Sequence, residues 1–159
     1  MAPPKIKTLL ERMGFADPDL PKPLHDEIIK WLDSNMEDVL MLIFKLQERP
    51  KEVKTKWEAV VRLKEDGGML VGYIDLLATA RTSRDVLRVV FEAKTVLGTL
   101  GELFRQVRTY QEGFIHGRGV DDMTFVVVCP DASEAEIIRQ QGFEFLKYDP
   151  ETIFKLGAV

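Results

Sequence analysis

The chain has 159 residues, of which 45% are hydrophobic and 30% charged, with a formal net charge of -4 and one cysteine. Those values fit about one folded domain with a substantial core, and they exclude a disordered or collagen-like chain. Cys129 alone cannot form an internal disulfide or supply a four-thiolate site. No iron–sulfur cluster is therefore expected, and the chain reads as reduced and cytoplasmic. Residues 1–6 lack the apolar stretch of a secretion signal, and the longest apolar run, 39–44, is far too short to span a membrane. The net charge argues against a uniformly basic coat, yet residues 81–118 carry seven Lys or Arg against four acids, so positive charge is concentrated there.

In chain order, Ile6, Leu9, Leu10 and Met13 followed by Gly14 predict a short helix over 5–14, and the prolines at 18, 21 and 23 force a loop. A helix is expected from about Leu24, burying Ile28, Trp31 and Leu32, with Ser34 or Asn35 capping a second helical stretch to about Gln47. The period then changes to strands over 57–63, 69–79 and 86–94, separated by a turn at 65–68 and a polar turn at 81–85. Three such strands in succession predict an antiparallel meander. Leu103, Phe104, Val107 and Tyr110 predict a helix over 100–113 with Gly113 as its C-cap, and residues 116–119 read as a flexible loop. The unbroken apolar run 123–128 predicts a strand covered on both faces at the centre of the sheet. A helix from 132 to 141 and a short strand over 143–148 complete the order α, α, β, β, β, α, β, α, β. No internal repeat or long linker divides the chain, so residues 1–159 read as one mixed-sheet α/β unit.

The chemistry-bearing residues are Asp75 on the second strand and Glu92 and Lys94 on the third. Side chains alternate along a strand, so Glu92 and Lys94 share one face while Phe91 and Ala93 point into the core. Charge inside such apolar runs costs several kcal/mol, to order of magnitude, unless the groups are paired, solvated or metal-bound. Magnesium needs only one or two protein carboxylates, and a lysine beside them can position or deprotonate water or stabilise developing charge. Against this, an isolated Glu-x-Lys is common on an exposed strand, where it marks a solvated face.

Asp75, the Glu92-Ala93-Lys94 signature and the surrounding α-β-β-β-α-β order resemble the PD-(D/E)XK nuclease superfamily over roughly residues 24–130. Gln106 and Tyr110 on the next helix are similar to the Gln-x-x-x-Tyr motif of its RecB-type branch, and Glu58 with Gly72 before Asp75 is similar to that branch's strand pattern. Ile74 stands where the motif's proline would be, and the cysteines that hold a cluster in some relatives are missing. The resemblance implies a restriction endonuclease-like core at 24–130, with a central mixed sheet flanked by helices. An N-terminal helix and loop (1–23) would precede it, and a C-terminal helix–strand extension (131–159) would follow. It implies an Mg²⁺- or Mn²⁺-dependent deoxyribonuclease acting in DNA repair, recombination, restriction or mobile-element processing, with DNA as partner and a homodimer allowed by analogy. The alternative is a catalytically inactive nuclease-fold module that binds DNA or a protein.

On this reading Asp75, Glu92 and Lys94 are catalytic, with Asp75 and Glu92 holding the metal. His25 or Glu27 would approach that metal from the first helix, and Glu58 would support it. Gln106, Arg105, Arg108, Tyr110 and Arg118 would contact nucleic acid. The plain alternatives are a helix-cap histidine at 25, a half-exposed strand at 58, a core Tyr110 with a surface hydroxyl, and arginines on a solvated face.

Overall fold

A computed structural model of the chain describes residues 23–64 and 67–151. The expected helix at 5–14, the turn residues Glu65 and Asp66, and most of the 17–23 loop lie outside the described residues.

Two helices come first, α1 (Pro23–Ser34) and α2 (Met36–Phe44). The break between them falls at Asn35, whose amide side chain donates to the Trp31 carbonyl at 2.8 Å, and α2 ends on Lys45 in the left-handed region at φ 51°. That stop comes before the expected Gln47. The meander follows as β1 (Glu52–Lys64), β2 (Gly67–Arg81) and β3 (Val86–Ala93), each antiparallel to the next. β1 begins five residues before the expected start at 57, because Val53 packs on the helical core and Thr55 and Trp57 both donate to the Asp33 carboxylate of α1, at 2.6 and 2.8 Å.

Helix α3 (Leu100–Gln111) then crosses the sheet. Gly113 follows it without left-handed geometry. Its requirement is space, since a Cβ there would collide with Val61 Cγ1. Residues 116–119 are ordered into a hairpin of two-residue strands, β4 (Phe114–Ile115) and β5 (Arg118–Gly119), turning through His116 and Gly117 at φ 51° and 75°. Two positive φ values in a two-residue loop are the geometry that matches strand twist, which is why this segment is a tight turn instead of a flexible loop. A short 3-10 turn (Val120–Asp122), β6 (Thr124–Cys129), α4 (Ala135–Gln140) and β7 (Glu144–Lys147) complete the order.

The seven strands run β5-β4-β1-β2-β3-β6-β7, with β6 parallel to both β3 and β7. The unbroken apolar strand is therefore second from an edge, not central. Its composition reports coverage on two faces: Val126 and Val128 pack towards α1 and α2, and Phe125, Val127 and Cys129 towards α3 and α4. Two cores result, one beneath α1 and α2 and one beneath α3. In β1 the buried side changes between Val53 and Ala59, residues of the same parity, and Glu58 between them has φ 52°. A left-handed residue there rotates the strand onto the other core.

Candidate functional site

The site arises where β2 and β3 part. Their ladder holds six rungs, from Arg81↔Val86 to Leu76↔Phe91, and stops there although both strands run on. The backbone bond is replaced by a side chain: the Ala93 N–H donates to Asp75 Oδ2 at 2.8 Å. β3 stays bound to β6 instead, and the Lys94 N–H donates to the Val128 carbonyl at 2.8 Å. Leu77 and Val90 pack in the core beneath α3, so strand alternation puts Asp75, Glu92 and Lys94 on that same face, at its open end.

A cleft of about 280 Å³ lies over this opening. It is lined by His25 from α1, Tyr73 and Asp75 from β2, Glu92 from β3, the loop 94–99, and Glu102, Leu103, Gln106 and Tyr110 from α3. Glu92 is the one charged residue in the interior among the described residues, 2% exposed, and its Oε1 has no hydrogen-bond partner. Burial raises its carboxyl well above the ordinary glutamate value, the neighbouring Asp75 charge raises it further, and the Lys94 ammonium opposes both. The Lys94 ammonium donates to Gln106 Oε1 at 2.6 Å. His25 Nε2 stands 3.1 Å from Asp75 Oδ1, and this contact raises the imidazole above its usual value despite partial burial.

Of the expected site residues, the fold gathers Asp75, Glu92, Lys94, His25, Gln106 and Tyr110 around one cleft. Glu27 is exposed and absent from that lining, and its charge acts on Tyr148 instead. Glu27 lies two positions after His25, a rotation of about 200° around the helix, so the two cannot serve the same opening. Glu58 lies between the rungs Trp57↔Leu76 and Ala59↔Ile74, across from Asp75, but it is exposed and does not line the cleft. Gln106 and Tyr110 face inward instead of presenting themselves on a surface. Tyr110 is 2% exposed and its hydroxyl donates to the Tyr73 carbonyl at 2.9 Å, with burial and the two carboxylates holding the phenol well above its usual value. Arg105, Arg108 and Arg118 are exposed outside the cleft, and Arg108 donates to Gln141 Oε1 at 3.0 Å, joining α3 to the end of α4. The loop 95–99 and Glu102 were missed. Thr99-x-x-Glu102 does carry a capping-box pattern that marks the helix start.

No family model and no curated protein matches the chain. Two solved structures are similar to it. One is a repair endonuclease from Pyrococcus abyssi, 20% identical over 74% of this chain and 47% of that one, with a TM-score of 0.38. The other is EndoMS in a complex with double-stranded DNA, 22% identical over 87% of this chain and 51% of that one, also with a TM-score of 0.38. The chain thus spans about half the length of each. Among the described residues no helix is long and apolar enough to cross a membrane.

Proposed function

We propose that the cleft is the active site of a divalent-metal-dependent deoxyribonuclease. The observation that carries this reading is the Glu92 carboxylate, interior, beside Asp75 and with an oxygen lacking any partner. A buried polar atom left unpaired costs about 1–3 kcal/mol, and more when charged, so a site that keeps one is shaped for something that binds it. Two adjacent carboxylates call for a cation. Among the described residues no three His, Cys, Asp or Glu side chains form a metal cage. A carboxylate pair that leaves the remaining positions to water and substrate phosphate suits Mg²⁺ or Mn²⁺, which take hard oxygen donors. Asp75 and Glu92 would hold the ion, with His25 next to Asp75. When bound, such an ion neutralises phosphate charge and makes its bound water more acidic.

The chain's own groups divide the remaining work. The Ala93 N–H fixes one oxygen of Asp75 and His25 holds the other, so this carboxylate is oriented before substrate arrives. Gln106 Oε1 accepts a hydrogen bond from one N–H of the Lys94 ammonium, leaving two N–H donors for the attacking water or the phosphate oxygens. Tyr110 pins the Tyr73 carbonyl and so ties α3 to β2 at the cleft wall. The exposed Arg105, Arg108 and Arg118 offer phosphate contacts whose strength falls with salt. This division of labour agrees with the Asp75, Glu92-Ala93-Lys94 and Gln106/Tyr110 resemblance in the sequence.

The test is incubation of the purified chain with linear, circular and single-stranded DNA and Mg²⁺ or Mn²⁺, alongside Asp75→Ala and Lys94→Ala. Expected is metal-dependent cleavage that falls by about 10³-fold or more in each variant while both keep a cooperative melt. Absence of cleavage with either ion, or undiminished cleavage by Asp75→Ala, overturns the proposal.

A further inference from the structure

The loop from β3 to α3 carries the cleft wall past Lys94, and it presents an apolar side chain there. Val96 lines the cleft and is 72% exposed, more than any other large apolar side chain among the described residues. A lone valine on an open surface needs no account. This one stands in the wall of a cleft that also holds two carboxylates, an ammonium and an imidazole. The chain is anchored on both sides of it. The Lys94 N–H is held by the Val128 carbonyl at 2.8 Å, and Leu97 is buried in the core beneath α3. Gly98 then turns the backbone into α3 at φ 59°, and since a Cβ there would meet nothing within 4 Å, the need for glycine is conformational. Between those anchors a β-branched side chain, stiff at χ1, has little freedom to turn away from the opening.

A phosphate held at Asp75, Glu92 and Lys94 makes no use of a hydrocarbon surface. Val96 is two positions beyond Lys94, and two residues of chain span at most about 7 Å, so it stands beside whatever is bonded to that phosphate. In a nucleic acid the first carbon atoms beyond the phosphate oxygens belong to the flanking sugar. Carbon against carbon is favourable for deoxyribose, whose 2′ position carries only hydrogen. In ribose the same position carries a hydroxyl, which loses water against an apolar wall and gains no hydrogen bond in return. Thr95 and Thr99 bring hydroxyls to the same wall, but the most exposed side chain between them is hydrocarbon.

We infer that Val96 is a sugar-discriminating residue: it packs on the deoxyribose next to the cleaved phosphate and makes the cleft prefer DNA to RNA. The inference rests on the reading of the cleft as a nucleic-acid site, and it deepens that reading by naming the sugar.

The experiment measures binding, so that it stands apart from catalysis. Single strands of one sequence are prepared in all-deoxy, all-ribo and all-2′-fluoro forms, the last having the ribose pucker without the hydroxyl. Fluorescence anisotropy in Ca²⁺ gives their affinities for wild type, for Val96→Thr, which keeps the shape and supplies a hydroxyl, and for Val86→Thr, a control on an exposed valine at the far end of β3. Both positions are exposed, so both variants should melt with wild type. Expected in wild type are deoxy and 2′-fluoro strands bound alike and a ribo strand bound about tenfold more weakly. Val96→Thr should shrink that gap to about threefold or less by giving the 2′-hydroxyl a partner, while Val86→Thr leaves it whole. Equal affinity for deoxy and ribo strands in wild type overturns the inference, as does a 2′-fluoro strand that binds as weakly as the ribo one. A gap untouched by Val96→Thr, or shrunk as much by Val86→Thr, overturns it too. Cleavage of DNA that depends on Asp75 together with any of these results would leave the nuclease standing and remove the sugar contact alone. A gap that closes in Val96→Thr, without cleavage in Mg²⁺ or Mn²⁺, would do the reverse.

Discussion

The two ends of the β2–β3 pair contrast within a few residues. At one end the rungs Leu76↔Phe91, Leu77↔Val90 and Ala78↔Val89 are sealed between apolar faces, with Ala78, Val89 and Phe91 wholly buried. At the other, one step past Leu76 and Phe91, the strands part, and Glu92 is as buried as its apolar neighbours while Asp75 is half-buried. Burial stabilises the first end and is a cost at the second. Residues 91 and 92 point to opposite faces of one strand, so substitutions there should act with opposite sign.

Phe91→Ala removes a fully buried ring and should cost about 3–5 kcal/mol, read as a large drop in the denaturant midpoint. Glu92→Gln should stabilise the metal-free chain at neutral pH by about 1–3 kcal/mol, because an amide can donate to Asp75 without carrying charge. The sign follows from linkage. A carboxyl raised in the fold contributes stability below its ordinary value of 4.5 and loses it as pH rises through the raised value. The difference between the two proteins should therefore widen as pH rises, and equal melting curves across that range would remove the contrast.

His25→Ala sharpens the same comparison on a smaller scale. The imidazole is raised above 6.5 by Asp75, so the contact stabilises fully below that value and fades as pH climbs past the raised one. The loss on substitution should be about 1 kcal/mol at about pH 5.5 and close to nothing at about pH 9, after allowing for partial solvent screening. The smallest effect concerns Glu58. Relief of its left-handed backbone by Glu58→Gly should leave stability unchanged or raise it by about 1 kcal/mol. If cleavage survives that change, Glu58 has no part in supporting the metal. A loss of cleavage with intact melting would restore it to the site.

Local patterns in the sequence foretold the meander, because Val and Ile alternation and the polar 81–85 turn are short-range signals, and they placed Glu92 and Lys94 on one face. Tertiary information was illegible. The choice between His25 and Glu27 depends on the rotation of α1 over the sheet, and the partners of Gln106 and Tyr110 lie 12 and 37 residues away. β4 and β5 are too short for any periodicity to register, and the positive φ of His116 beside Gly117 has no sequence signature. The strand now seen as β6 was expected at the centre and lies second from an edge, because an apolar run records coverage, not order.

The most direct test is anomalous scattering from crystals soaked in Mn²⁺. The account predicts an ion coordinated by oxygens of both Asp75 and Glu92, lost in Glu92→Gln. An ion bound elsewhere, or a cleft that stays empty at Mn²⁺ concentrations that support cleavage, would contradict it.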